Sequence, residues 1–184
     1  MKIGPGDRVL DLGCADTTLL IPLARRYPGV SFVGLSSDDR GLEAARECID
    51  AAGLAVELRR GLVVAPVFSP CTFQSIVWAP LLHGSPVREK VLAIGAAYRL
   101  LKPGGTFYMI DWGAPQGLLA RALFAARRFA RGHTMTPPPI ERLMLAVMRS
   151  TGFKPATIVH RHRTIWGTVC LFSGQRPYET CVSR

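Results

Sequence analysis

The feature of this sequence that most constrains its fold is a regular alternation of strand-like and helix-like segments. Short apolar runs typical of buried strands lie at residues 8–12, 31–35, 56–58, 73–78 and 106–112. Segments with one apolar helical face lie at residues 17–26, 39–52, 90–101, 118–131 and 140–151. Strands that alternate with helices predict an α/β fold, with a mostly parallel sheet covered by helices on both faces.

The last part of the chain adds two strand-like runs, at residues 156–162 and 168–172. No repeat, low-complexity stretch or linker interrupts the pattern, so we predict a single domain over residues 1–184. Asp38 is predicted to cap the second helix, because a carboxylate accepts hydrogen bonds from the first free backbone N–H groups. The run Lys102–Gly105, with one proline and two glycines, is predicted to end the helix before the fifth strand.

The charge of the chain is concentrated in its last third. The net charge is +10, but residues 1–113 hold 12 Lys+Arg against 11 Asp+Glu, whereas residues 114–184 hold 11 against 2. A one-sided positive field favours an anionic partner, such as a phosphorylated or carboxylated small molecule, a nucleic acid or an acidic membrane surface. The alternative is an ordinary solvated surface. No basic stretch is interleaved with aromatic residues, so the pattern does not indicate a nucleic-acid reader.

The cysteines and apolar runs indicate neither a metal centre nor a membrane span. Five cysteines occur without a C-x-x-C pair, so we predict no zinc site and no disulfide framework. The chain passes from Met1 directly into a turn at Gly4-Pro5-Gly6, which is unlike a signal peptide, and its apolar runs are shorter than a transmembrane helix needs. These features favour a cytoplasmic protein.

Four segments resemble the motifs of class I S-adenosylmethionine-dependent methyltransferases, especially the small-molecule and quinone-type members. They are Val9–Cys14, Phe32–Leu35 with the following Leu42–Arg46, Phe73–His83, and Leu100–Thr106. The resemblance implies a Rossmann-like sheet of seven strands in the order 3-2-1-4-5-7-6, with strand 7 antiparallel. It also implies that S-adenosylmethionine lies over the first two strands and leaves as S-adenosylhomocysteine.

The resemblance assigns cofactor-binding positions to the carboxyl ends of the first four strands. They are Asp11, Gly13, Cys14, Ala15 and Asp16 in the first turn, Ser36, Ser37 and Asp38 after the second strand, Gly61 and Leu62 after the third, and Trp78 at the end of the fourth. Trp78 would flank the sulfonium by cation–π attraction, or would pack in the core.

Several polar positions depart from the family pattern. Ala15 and Thr17 stand where the family has glycine, and Thr17 would be strained at a positive φ. Ser36, Leu62 and Gln74 stand where it has acidic residues. A serine cannot accept both ribose hydroxyls as a carboxylate does, so Asp38 would have to take that role by a fold-back of the loop. These departures fit a tolerant cofactor site, or a pocket with a different use.

Two residues are candidates for catalysis. His83 follows the fourth strand and would act as general base or orient the substrate, or else would be a loop histidine bonded to backbone. Asp111 ends the fifth strand and would position a substrate donor, or would cap the following turn. Arginines of residues 118–131 (Arg121, Arg127, Arg128 and Arg131) form one helical face, for an acidic substrate, a partner or a lipid surface, or simply for solvent.

The sequence therefore predicts methyl transfer from S-adenosylmethionine to an oxygen, nitrogen or carbon atom of a small molecule, and the basic last third of the chain favours an anionic one. The alternative keeps the fold but not the reaction, as a cyclase- or isomerase-like catalyst or a non-catalytic binding module. The first strand begins by Arg8, so the domain is expected to lack the N-terminal helices that close the site in most members. The pocket would then be open, or closed by a second copy or a partner chain.

Overall fold

The computed structural model describes residues 3–14, 17–80, 85–113, 140–164 and 167–178. The strands are β1 (Arg8–Leu12), β2 (Ser31–Ser36), β3 (Val56–Arg60), β4 (Phe73–Trp78), β5 (Leu101–Trp112), β6 (Ala156–Thr164) and β7 (Gly167–Gln175). The helices are α1 (Leu20–Arg26), α2 (Asp39–Ala51), α3 (Val87–Leu100) and α4 (Ile140–Thr151).

The seven strands form one sheet in the order β3-β2-β1-β4-β5-β7-β6. The pairs from β3 to β5 are parallel, and β7 runs antiparallel to both β5 and β6. The predicted fold class, strand order and direction of β7 are confirmed. In this topology, the chain reverses its winding direction beside β1, which opens a crevice at the carboxyl ends of β1, β2 and β4.

Alternate residues of the central strands face two separate buried clusters, which places helices on both faces of the sheet. Leu10, Leu12 and Phe107 belong to the cluster that packs against α3 and α4. Val9 and Phe32 belong to the cluster that packs against α1 and α2. The two layers hold the carboxyl ends of the strands in fixed positions and so define the crevice.

Among the predicted boundaries that differ from the structure, two have a clear physical reason. The first helix begins at Leu20 rather than at residue 17, because Thr17 has a φ of 54° and lies outside helical conformation. The fifth strand begins at Leu101, directly after α3, instead of after the run of proline and glycine. Leu101 pairs with Phe73, and the N–H of Gly104 donates to the carbonyl of Arg176 at 2.9 Å, so contacts with β4 and with the residue after β7 hold this run at the edge of α3 within β5.

The cysteines also differ from the prediction in part. Cys14, Cys48 and Cys170 carry free thiols, whereas Cys71 is disulfide-bonded. The absence of C-x-x-C spacing therefore did not exclude a single disulfide bond at Cys71. Across the ranges described above, no helix has the length and apolar character needed to cross a bilayer.

Candidate functional site

A cavity of about 220 Å³ lies at the carboxyl ends of β1, β2 and β4. Its lining combines the end of β1, the loop after β2, the end of β4 and the first turn of α3. Among the described residues, the lining comprises Gly13, Ser36, Ser37, Asp38, Val63, Trp78, Ser85 and Glu89. Five of these eight, namely Gly13, Ser36, Ser37, Asp38 and Trp78, are among the eleven residues assigned to the cofactor site from the sequence, so the cavity gathers five of the eleven predicted positions.

The turn after β1 is held closely against β2. The N–H groups of Gly13 and Cys14 both donate to the carbonyl of Leu35, at 2.7 and 3.1 Å. Gly13 has a φ of 88°, a conformation that favours glycine. The Cys14 side chain is buried and faces Gly34, where an added Cβ would lie 2.5 Å from the Cys14 Sγ. Gly13 therefore lines the cavity, whereas the Cys14 thiol packs against the sheet.

Asp11 and Thr17 flank this turn in the described part of the chain. Asp11 is buried at 4% exposure in the layer that contains α1 and α2. The family has glycine at the position of Thr17, and glycine is the residue that best tolerates a positive φ. Thr17 has a φ of 54°. Ala15 and Asp16, which were also assigned to the cofactor, lie outside the described residues.

The loop after β2 carries its own hydrogen-bond pattern. The Asp38 N–H donates to the Ser36 Oγ at 3.2 Å, and the Asp38 Oδ1 accepts from the Arg40 N–H at 3.2 Å. Asp38 is thus the N-cap of α2, as predicted. The same turn places Asp38 beside Ser36 among the residues that line the cavity.

The loop after β3 contributes a different residue from the one expected. The Gly61 N–H donates to the Ser36 carbonyl at 2.9 Å, which ties this loop to the end of β2. Leu62 is 56% exposed and does not line the cavity, whereas the neighbouring Val63 does. Val63 was missed because the resemblance placed the contact one position earlier, and a short apolar run gives no signal for which of its residues turns inward.

Trp78 closes one side of the cavity from the end of β4. It is 1% exposed and pairs in register with Leu12 on one side and Met109 on the other. Both roles weighed from the sequence are compatible with this position, because the indole packs in the core and also lines the cavity.

Ser85 and Glu89 line the cavity but were not predicted. Ser85 lies just before the N-cap of α3 and Glu89 lies in its first turn, and the Ser85 Oγ donates to the Glu89 Oε1 at 3.3 Å. The sequence places an acidic residue near the start of the helix that follows β4, but it does not show whether that helix start meets the cavity.

Asp111 at the end of β5 forms a buried ion pair. Its Oδ2 accepts from the Nζ of Lys90, and its Oδ1 accepts from the Trp112 N–H at 2.9 Å. Asp111 is fully buried and Lys90 is 7% exposed. Asp111 is not among the cavity residues, and Lys90 was not anticipated. His83 and the arginine-bearing residues 118–131 lie outside the described residues.

A second cluster of polar side chains lies next to β5, where α4 packs against β6 and β7. The Glu141 carboxylate accepts from the Cys170 Sγ at 3.4 Å and from the Arg161 guanidinium at 3.0 Å. Burial, together with the hydrogen bond to Glu141, raises the pKa of the Cys170 thiol to about 11. Cys170 is therefore a protonated, unreactive thiol at neutral pH.

Comparison with known proteins places this architecture in a family. A family model described as "Methyltransferase domain" matches residues 9–105. The chain is 31% identical over 121 residues to a demethylmenaquinone methyltransferase of Thermus thermophilus, a match that covers 64% of this chain and 54% of that protein. The matches cover about half, or less, of the length of the curated relatives.

Two solved structures have the same fold at low sequence identity. An S-adenosylmethionine-dependent methyltransferase from Methanosarcina mazei aligns with a TM-score of 0.77 at 18% identity, over 96% of this chain and 95% of that one. Phosphoethanolamine N-methyltransferase 2 of Haemonchus contortus, in complex with S-adenosyl-L-methionine, aligns with a TM-score of 0.73 at 15% identity, over 96% of this chain and 50% of that one. Because the family model covers more than half of the chain and the sheet has the implied strand order, this chain belongs to the class I S-adenosylmethionine-dependent methyltransferases.

Proposed function

We propose that the chain transfers the methyl group of S-adenosylmethionine to an oxygen, nitrogen or carbon atom of a small molecule. The observation that carries the proposal is that one cavity gathers Gly13, Ser36, Asp38 and Trp78 at the carboxyl ends of three adjacent strands. This is the crevice in which open α/β sheets bind their ligands.

The residues present fit this cofactor. Gly13 removes a side chain where β1 ends, so a ligand can approach the backbone there. The Asp38 carboxylate uses Oδ1 to cap α2 and has a second oxygen available to accept a ribose hydroxyl. Trp78 supplies an aromatic wall of the kind that attracts a cation. When bound, S-adenosylmethionine supplies an electrophilic methyl group on its sulfonium.

The contribution of the chain to the reaction is mainly placement. Residues at the ends of β1, β2 and β4 would hold the methyl donor, so that the acceptor atom attacks in line with the bond that breaks. Correct alignment of two reactants accounts for roughly 7–11 kcal/mol of a barrier. We propose His83 as the group that takes the acceptor's proton, and Asp111 as a positioning residue that acts through Lys90.

We infer the class of methyl acceptor from the charge of the chain and from the proteins to which it is similar. The excess of Lys and Arg in residues 114–184 favours a small, anionic acceptor. The names of the relatives, a demethylmenaquinone methyltransferase and a phosphoethanolamine N-methyltransferase, agree with a small-molecule acceptor. The family match does not favour the alternative of a non-methylating cyclase, isomerase or binding module. Closure of the site by a second copy or a partner chain stays a prediction.

Two measurements test the proposal. Calorimetric titration of the purified protein with S-adenosylmethionine and with S-adenosylhomocysteine should show saturable binding of both. Absence of binding at millimolar ligand would contradict the proposal. Incubation with methyl-labelled S-adenosylmethionine and cell extract should then place the label in the small-molecule fraction, whereas label confined to RNA or protein would contradict the substrate class.

A further inference from the structure

Glu89 occupies a helical position at which its usual role is unavailable. It is the third residue of α3, from which a glutamate normally reaches back to the N–H of the N-cap residue. The N-cap here is Pro86, which has no N–H, and no side chain caps this helix end. Glu89 accepts one hydrogen bond, from Ser85, through Oε1. Its carboxylate therefore lines the cavity without completing a capping box.

The charge of the cavity is opposite to that of the whole chain. The chain carries a net charge of +10, but the described lining holds two carboxylates, Asp38 and Glu89, and neither lysine nor arginine. Asp38 already uses one carboxylate oxygen to cap α2. Since carboxylates in a partly enclosed site attract cations more strongly than they do in bulk water, this lining suits a ligand with positive charge.

The helix that carries Glu89 is fixed in place by the next residue. Lys90 points away from the cavity and forms the buried ion pair with Asp111 of β5. The start of α3 is thereby tied to the sheet at a point one residue from Glu89. A binding group supported in this way keeps its position when the ligand is absent, which lowers the entropic cost of binding.

We propose that Glu89 is a specificity-determining residue that recognises the positive charge of the bound cofactor. This inference rests on the proposed function. S-adenosylmethionine has two cationic groups, the ammonium of its amino-acid end and the sulfonium, whereas S-adenosylhomocysteine keeps only the ammonium. In either case a positively charged group faces the Glu89 carboxylate. Comparing the two ligands shows whether that group is the ammonium or the sulfonium.

The test compares E89Q with wild type and with E47Q by calorimetric titration of both ligands. Glu47 is an exposed glutamate of α2, so E47Q removes the same charge without touching the cavity. We expect E89Q to weaken binding of S-adenosylmethionine about tenfold and E47Q to leave it unchanged. An equal loss for S-adenosylhomocysteine assigns the contact to the ammonium, and a loss confined to S-adenosylmethionine assigns it to the sulfonium.

Two outcomes separate this inference from the proposed function. If wild type and E89Q bind both ligands equally well, the role of Glu89 is overturned while the proposed function stands. If wild type binds neither ligand, both are overturned. A purely structural role at the helix end would lower the melting temperature of E89Q without changing its dissociation constants, and this result also overturns the inference. The variant E89D, which keeps the charge, should retain most of the affinity that E89Q loses.

Discussion

Thr17 holds a backbone conformation that β-branched residues rarely adopt. Its φ of 54° lies in the left-handed region, where a Cβ clashes with the neighbouring carbonyl. The family has glycine at this position, and the sequence comparison predicted a cost if the turn kept its shape. Thr17 has the positive φ, so the strain falls on this residue.

We expect T17G to be more stable than T17A by about 1 kcal/mol, because only glycine adopts this φ without strain. The free energy of unfolding in urea is the measurement. At Ala44, an exposed residue of α2, alanine should instead be more stable than glycine. The variant A44G should therefore lower the free energy of unfolding by about 1 kcal/mol. A T17A protein as stable as T17G would contradict the strained conformation.

Asp38 combines a structural role as the N-cap of α2 with a proposed role in binding, and substitution can separate the two. Asparagine caps helices as well as aspartate does, but it lacks the negative charge and the second equivalent oxygen. We therefore expect D38N to bind S-adenosylmethionine about tenfold more weakly while its unfolding free energy changes by less than about 0.5 kcal/mol. Calorimetry and urea unfolding measure the two quantities.

The neighbouring Asp39 provides the control for this substitution. Asp39 pairs with Arg60 at 3.1 Å on the surface, so D39N removes the same charge from the same helix end. D39N should bind the ligand as wild type does. Equal affinities of D38N and wild type would show that Asp38 does not hold the ribose.

At the scale of elements, Arg176 secures the carboxyl end of α3. Its Nη1 donates to the carbonyls of Tyr98 at 3.0 Å and Leu101 at 2.8 Å, and its guanidinium lies 4.9 Å from the Tyr98 ring centroid. These carbonyls belong to the end of a helix, where a cation is favourable. We expect R176M to lower the free energy of unfolding by about 2 kcal/mol.

Arg99 is the matched control for this prediction. It is an exposed arginine in the last turn of the same helix, and R99M should change stability by less than about 0.5 kcal/mol. Equal unfolding midpoints for R176M and R99M in urea would contradict the role of Arg176.

The pair Lys90–Asp111 joins α3 to β5. Removal of one partner leaves the other charge buried without compensation, which costs roughly 3–5 kcal/mol in comparable sites. We expect K90M and D111N each to destabilise the fold strongly, and the double variant to lose at least about 1 kcal/mol less than the sum of the two. Urea unfolding of the four proteins measures this coupling, and strict additivity would contradict the pair.

The limits of sequence-based prediction are visible in these same elements. Gly13 and Ser36–Asp38 were predictable because each follows its own strand directly, so the periodicity that locates the strand also locates the residue. The position of Glu89 in the cavity was not predictable, because it depends on how the connection between β4 and α3 runs, and the sequence pattern does not determine this. The start of β5 was missed for a related reason, since its pairing with Phe73 and Arg176 overrides the local preference of proline and glycine for a turn.

At the scale of the whole molecule, two effects of alkaline pH on stability oppose each other. The sequence has an isoelectric point of about 10.0, so the net charge falls towards zero as the pH rises to this value, and self-repulsion falls with it. The buried Cys170 acts in the other direction. Its pKa is raised from 9.0 to about 11, so the unfolded chain releases this proton at a lower pH than the folded chain does. The stabilisation from the buried thiol is complete below pH 9 and is lost as the pH rises towards 11.

The variant C170A separates the two effects, because it keeps the net charge of the neutral protein but has no thiol to ionise. We expect the stability advantage of wild type over C170A to shrink by about 2 kcal/mol between pH 8 and pH 10.5. Urea unfolding at both values is the measurement, and C48A, which removes an exposed thiol, is the control. A wild-type advantage that stays constant over this range would mean that Cys170 does not resist ionisation, and that net charge alone governs the alkaline stability of the fold.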